Sequence, residues 1–149
     1  MASIPQTFYE ILSQVVVQVE INGGKVYVSP EEVTIYNPID DEHATPGRAR
    51  EVRWVVKGHG SKQYVRIVPL GADVGMFDDC KPQKKGETPC FEIPPGYNSI
   101  ASGQPRRRAN APADHTHWYY EVQVVEKVGG DAQVVLPVVD PDIIIKDDP

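Results

Sequence analysis

The feature that most constrains this chain is a two-residue alternation of valine and isoleucine, interrupted at short intervals by proline and glycine. In the clearest early segment, alternate residues make one apolar face: Val15, Val17, Val19 and Ile21. This period is typical of a β-strand, and β-branched side chains fit a pleated sheet better than a helix. The 149 residues include 14 Pro and 12 Gly, so the strands must be short. The chain is therefore predicted to be all-β.

The alternation predicts seven or eight strands along the chain. In the best of them, from His117 to Val125, the inward positions are Trp118, Tyr120, Val122 and Val124. No repeat and no long linker divides the chain, so residues 1–149 are predicted to form one domain, with a flexible stretch over residues 1–8 and an acidic C-terminal tail. Two antiparallel sheets closed as a Greek-key sandwich are the economical architecture.

The charge balance excludes several classes of function. The formal net charge is −6, which argues against nucleic-acid binding and against docking on anionic lipid. No apolar run is long enough for a membrane-spanning helix. The N-terminal residues lack the basic and apolar regions of a signal peptide, so the cytoplasm is the expected compartment. A chain trimmed of its leader would look the same.

Three segments resemble the cupredoxin-like β-sandwich family: KVYVSPEEVTI from Lys25, VRWVV from Val52 and YYEVQV from Tyr119. Members of this family often read V-x-P-x-x-V-x-V, then V-x-W, then a Tyr-rich strand near the end. The resemblance covers residues 15–145. It implies a two-sheet Greek-key sandwich of that type, with an immunoglobulin-like sandwich as the alternative.

The chain departs from that family at the copper site. Type 1 copper needs a His after the Trp strand, and then Cys, His and Met in one loop after the Tyr-rich strand. Val122 stands where the Cys would be expected, and residues 123–126 include no His or Met. The resemblance therefore implies the fold without the blue-copper site.

The sharpest local motif is His115-Thr116-His117. Residues i and i+2 of a strand face the same way, so both imidazoles could bind one ion. Cys80 and Cys90 could add two thiolates and complete a Cys₂His₂ set for zinc or copper. The alternative is that both histidines lie at a loop–strand junction and form local hydrogen bonds, in which case no cofactor is needed.

The two cysteines also have two interpretations of their own. A disulfide between Cys80 and Cys90 would close a loop of 11 residues and stabilise the fold by about 3 kcal/mol. It would require an oxidising compartment. Otherwise the two are ordinary buried thiols, in a segment that Phe77 and Phe91 are predicted to anchor in the core.

One basic cluster and one outward aromatic residue are candidates for an interaction surface. The cluster is Arg106, Arg107 and Arg108, and Tyr119 faces outward on the best strand. Tyrosine and arginine are enriched at protein interfaces. The alternative is that the arginines belong to a solvated loop.

No catalytic constellation is present: the chain has neither a phosphate-binding loop nor a nucleophile elbow. We therefore predict a non-enzymatic binding module that presents loops 37–50, 69–90 and 101–116 to a protein partner. Exposed edge strands also offer pairing with a second copy, so a homodimer is a further expectation. The alternative function is a zinc- or copper-binding protein that uses His115 and His117.

Overall fold

Over the described residues the chain forms ten strands in two packed sheets, more than the seven or eight that the alternation predicts. The computed structural model describes residues 14–38, 48–70, 76–105 and 115–148, and at residues 37, 38, 115, 116, 147 and 148 it describes the backbone. The strands are β1 (Gln14–Asn22), β2 (Lys25–Ser29), β3 (Glu32–Pro38), β4 (Glu51–Lys57), β5 (Gln63–Pro69), β6 (Phe91–Ile93), β7 (Ser99–Ala101), β8 (His115–Val128), β9 (Asp131–Val134) and β10 (Asp142–Asp148).

The first sheet has the strand order β2-β1-β4-β7, and the second has the order β3-β10-β8-β5-β6, with β9 beside the end of β8. The β1–β4 and β3–β10 pairs are parallel, and the others are antiparallel. The chain crosses repeatedly between the two sheets. No helix occurs in the described ranges, and none there could cross a membrane. The predicted class, an all-β two-sheet sandwich, is confirmed.

The core between the sheets is built around a cluster of aromatic rings. Trp54 of the first sheet lies with its ring centroid 5.2 Å from Phe91 and 5.6 Å from Tyr120. Phe77 packs edge-on against Trp118, with centroids 4.9 Å apart. All five side chains are buried. The alternation also predicts Val52, Trp54 and Val56 as the inward positions of β4. These positions and those predicted for β8 are confirmed, as is the predicted anchoring by Phe77 and Phe91.

The last part of the chain differs from the sequence prediction. The valine-rich segment from Val134 to Val139 is predicted from the sequence to be one strand, but β9 ends at Val134. Pro137 lies inside the predicted segment and has no N–H to donate to a ladder. The chain returns to the sheet at Val139, which forms an isolated bridge with Val122.

Several strand ends of the second sheet meet at one end of the sandwich. Strands β3 and β10 end side by side, because Pro38 pairs with Asp148. Strand β8 begins there, with His115 opposite Lys146 of β10, and β5 runs toward the same end because it is antiparallel to β8. The segments that attach to these strands at this end lie outside the described residues: 39–47, 71–75 and 106–114. They belong to the three predicted recognition loops.

Candidate binding surface

An exposed tyrosine lies on the outward face of β8. Tyr119 keeps 51% of its surface exposed, as its position in the alternation predicts. Its ring is parallel to that of His117, with centroids 5.4 Å apart and an interplanar angle of 6°. Across the ladder, the Leu70 N–H donates to the Tyr119 carbonyl at 2.8 Å, and the Leu70 side chain is also exposed. We call Tyr119, His117 and Leu70 the Tyr119 platform.

An aspartate from the neighbouring strand holds the histidine of this platform. The His117 Nδ1 atom lies 2.6 Å from Asp142 Oδ2. We assign Nδ1 as the donor of this hydrogen bond, because a carboxylate oxygen accepts. The other carboxylate oxygen, Oδ1, is buried and has no hydrogen-bond partner among the described residues. The imidazole is therefore fixed in one orientation beside Tyr119.

The predicted acidic C-terminal tail consists of Asp140, Asp142, Asp147 and Asp148, whose side chains are expected to be solvated. For Asp142 this expectation is wrong. Strand β10 begins at Asp142, which pairs with Tyr119 of β8, and its side chain is 13% exposed. The two later acids of the expected tail, Asp147 and Asp148, are the last residues of β10. The sequence does not show the His117–Asp142 contact, because the two residues are 25 positions apart and only the strand pairing joins them.

The structure describes some of the proposed metal ligands and not others. His115 lies two positions before His117 on the same strand, but its side chain is not among those described. Cys90 comes directly before β6 and lines a cleft with Arg66 of β5. Over the described ranges, no group of three or more His, Cys, Asp and Glu side chains could hold a metal ion. The His115–His117 pair stays a prediction, and Arg106, Arg107 and Arg108 lie outside the described residues.

The two cysteines are free, buried thiols. The Cys80 side chain belongs to the main core, whereas Cys90 lines a cleft that also contains Arg66. Burial raises the pKa of Cys80 to about 12, and the neighbouring Cys90 adds to the effect. Burial likewise raises the pKa of Cys90 to about 11, although Arg66 acts in the opposite direction. The structure holds the two cysteines as separate thiols, and a disulfide between them in an oxidising compartment stays a prediction.

The raised pKa values of the two thiols predict a loss of stability at alkaline pH. Unfolded thiols ionise near their ordinary pKa of 9.0, whereas the folded thiols stay protonated to about pH 11. Their contribution to the free energy of unfolding is complete below pH 9. It falls as the pH rises toward 11, by up to about 1.4 kcal/mol per pH unit for each thiol. Urea unfolding at about pH 8 and about pH 10 measures this loss.

The matched comparison is Cys80→Ala, in which the alkaline loss should be smaller. An equal loss in the variant would contradict the assignment. Intact mass under non-reducing conditions separates the two states of the cysteines, because a disulfide lacks two hydrogens and has no thiol to titrate in this range.

A second feature that sequence reasoning missed is a buried ionic network on the outward face of β5 and β6. Arg66 Nε donates to Glu92 at 2.8 Å, and Arg66 Nη1 donates to Glu87 at 3.1 Å. Lys127 Nζ donates to Glu92 at 3.2 Å. The side chains of Arg66 and Glu92 are 9% and 8% exposed. Burial alone would lower the pKa of Arg66, but the hydrogen bonds that it donates to Glu92 and Glu87 outweigh burial, and the pKa is raised.

This network lies beside a shallow cleft of about 300 Å³, lined by Arg66, Val68, Gly86, Glu87, Thr88, Cys90 and Gln123. Arg66 lies on the outward face of β5, where the segment that contains Glu87 covers it. Both acids satisfy the guanidinium within the protein, so we regard the network as a structural element that fixes this segment on the sheet.

Comparison with known proteins gives no relatives. No family model, no curated protein and no solved structure matches the chain. The candidate surface therefore depends on geometry alone. An exposed tyrosine stacked on an imidazole that Asp142 holds, beside an exposed leucine, offers contact area to a partner.

Proposed function

We propose that this chain is a non-catalytic binding module with a cupredoxin-like sandwich and no blue-copper site. It recognises a protein partner through the Tyr119 platform and the loops at that end of the second sheet. The observation that carries the proposal is the exposed Tyr119 ring lying parallel to an imidazole that Asp142 holds at 2.6 Å.

The physical argument is preorganisation. Tyrosine brings a large, rigid contact surface to an interface, because only two side-chain torsions must be fixed. The hydrogen bond from His117 to Asp142 already fixes the imidazole that lies against one face of the Tyr119 ring. Less side-chain entropy is then lost on binding, and more of the contact energy contributes to affinity. Leu70 extends the apolar surface across the ladder.

The interior of β8 supports the part of the proposal that concerns copper. Val122, at the position where the resemblance would expect a cysteine, is completely buried. It lies in the middle of a strand, between Tyr120 and Val124 on the same inward face. The two-sheet sandwich with repeated crossovers is in keeping with the family resemblance.

The test begins by identifying the partner at the platform itself. A photo-crosslinking amino acid at position 119 is compared with the same amino acid at position 97, a tyrosine with 67% of its surface exposed on a distant turn. The protein cross-linked only from position 119 is purified, and its dissociation constant for this chain is measured. We expect Tyr119→Ala to weaken binding at least about tenfold, and Tyr97→Ala to leave it unchanged.

Equal partner affinities for Tyr119→Ala and Tyr97→Ala would contradict the proposal, provided that both variants have the same Tm as the wild type. Arg107→Ala, measured in the same assay, tests the predicted contribution of the basic cluster independently of Tyr119.

Metal binding is the second candidate function, and one contact favours it. A histidine that binds a metal commonly donates its other ring N–H to a carboxylate, which is the relation between His117 and Asp142. The ion would be zinc or copper, with His115 as the second protein ligand. Metal content measured by mass spectrometry on untagged protein, purified without chelator, tests this candidate. A stoichiometric ion that is absent from His117→Ala supports it, and protein free of metal contradicts it.

A further inference from the structure

Strand β2 is the edge of the first sheet and follows a tight turn. Gly23 and Gly24 both have positive φ, 61° and 76°, as a two-residue type I′ hairpin requires. The pair that closes such a turn, here Asn22 and Lys25, is hydrogen-bonded. Hydrogen-bonded and non-hydrogen-bonded pairs then alternate along the antiparallel ladder. The turn therefore fixes which backbone groups of β2 face β1.

By this alternation, Val26 and Val28 are the non-hydrogen-bonded positions, opposite Ile21 and Val19. Their N–H and C=O groups point away from β1, to the outer edge of the sheet. No described residue donates to these groups or accepts from them. The side chain of Val26 is buried in the core, so the edge is fixed in place.

Other sheet edges are shorter or occupied. The Tyr36 N–H of β3 donates to the Ala49 carbonyl at 2.8 Å. Beside β6, Cys90 is bridged to Lys81. Strands β7 and β9 have three and four residues. An extended strand with unpaired backbone groups readily pairs with another strand, and β2 is the best candidate among the described edges.

We propose that two copies of this chain pair through β2, antiparallel, about a two-fold axis that passes through Tyr27. In this register the Val26 N–H donates to the partner's Val28 carbonyl, and the Val28 N–H donates to the partner's Val26 carbonyl. The symmetry doubles both, so all the free groups of the edge are used. Lys25 faces the partner's Ser29, and no like charges oppose each other.

The register follows from what the neighbouring registers would lose. An axis through Val26 would place Val28 opposite the partner's residue 24, and an axis through Val28 would place Val26 opposite the partner's residue 30. Both of these partner positions lie outside β2, so the free backbone groups of one valine would have no strand residue to pair with. An axis through Lys25 would place two ammonium groups in direct opposition, which is destabilising. The axis at Tyr27 instead brings together two tyrosines that are each 53% exposed, and cross-strand aromatic pairs stabilise sheets.

The dimer joins two four-stranded sheets into one sheet of eight strands. The paired edge is only five residues long, so the interface is at the small end of the specific range, and the dimer forms in a concentration-dependent equilibrium. It uses the first sheet and leaves the Tyr119 platform, on the second sheet, exposed. Its test is therefore independent of the proposed binding function.

Cysteine cross-linking tests the register directly. Directly opposed residues of a non-hydrogen-bonded pair have Cα atoms about 4.5 Å apart, within the range of a disulfide. With oxidised glutathione as the oxidant, which takes up the two hydrogens, we expect Tyr27→Cys to form a covalent dimer. Ser29→Cys alone should stay monomeric, because its two copies lie on opposite sides of the axis. An equal mixture of Lys25→Cys and Ser29→Cys should cross-link.

The non-covalent test is sedimentation over a concentration series. The wild-type mass should rise from 16.5 kDa toward twice that value, and Tyr27→Lys should abolish the rise because it opposes two ammonium groups at the axis. Within one copy, the new lysine faces Glu20 of β1, so the fold is retained. Tyr97→Lys is the control and should dimerise as the wild type does. A wild-type mass constant up to the solubility limit, or cross-linking of Ser29→Cys as rapid as that of Tyr27→Cys, would overturn the proposal.

Discussion

Replacement of Trp54 by alanine is expected to lower the free energy of unfolding by about 3–5 kcal/mol. The side chain is completely buried and contacts the rings of Phe91 and Tyr120 from the opposite sheet. Its Nε1–H donates to the Tyr120 hydroxyl at 3.2 Å, also in the core. Truncation removes the apolar contacts between the two sheets and leaves a cavity. Urea unfolding followed by circular dichroism measures the change.

Two milder variants separate packing from hydrogen bonding at this position. Trp54→Phe keeps most of the ring but leaves the Tyr120 hydroxyl without this donor, which costs about 1–3 kcal/mol beyond the lost volume. Adding Tyr120→Phe removes that buried hydroxyl and should recover part of the loss. If Trp54→Ala were no less stable than the surface variant Tyr97→Ala, the described core would be wrong.

The second large loss in the free energy of unfolding is expected from Glu92→Ala. Glu92 accepts hydrogen bonds from both Arg66 and Lys127, and the Arg66 side chain is almost inaccessible to solvent. Glu92→Ala leaves the buried Arg66 with only the partly exposed Glu87 as an acidic partner, and breaking a buried ion pair in this way costs about 3–5 kcal/mol. Glu87→Ala should cost less, because Glu87 is partly exposed and water can replace it. Thermal and urea unfolding of the two variants give the comparison.

The matched control is Lys84→Ala, which breaks the exposed pair between Lys84 and Asp131 and should change stability by less than about 1 kcal/mol. The double variant Arg66→Met with Glu92→Leu should recover much of the loss, because apolar pairs often replace buried ion pairs without cost. A loss for Glu92→Ala no larger than that for Lys84→Ala would contradict the burial of the network.

The sequence determined which face of β4 and of β8 is buried. A strand turns its side chains alternately to its two sides, so a local pattern was enough to place Trp118 and Tyr120 in the core and Tyr119 outside. The same pattern placed Val52, Trp54 and Val56 inward on β4. These assignments needed no knowledge of which strands are neighbours, and for this reason they were correct before any pairing was known.

The tertiary structure alone decided which outward residues meet. His117 and Asp142 are 25 positions apart, and Arg66 and Glu92 are 26 apart. Each contact exists because two particular strands are adjacent in a particular register. The sequence shows that such residues face outward, but outward residues are solvated or buried according to what covers them. Asp142 and Arg66 are each buried by segments distant in the chain, and local periodicity contains no information about those neighbours.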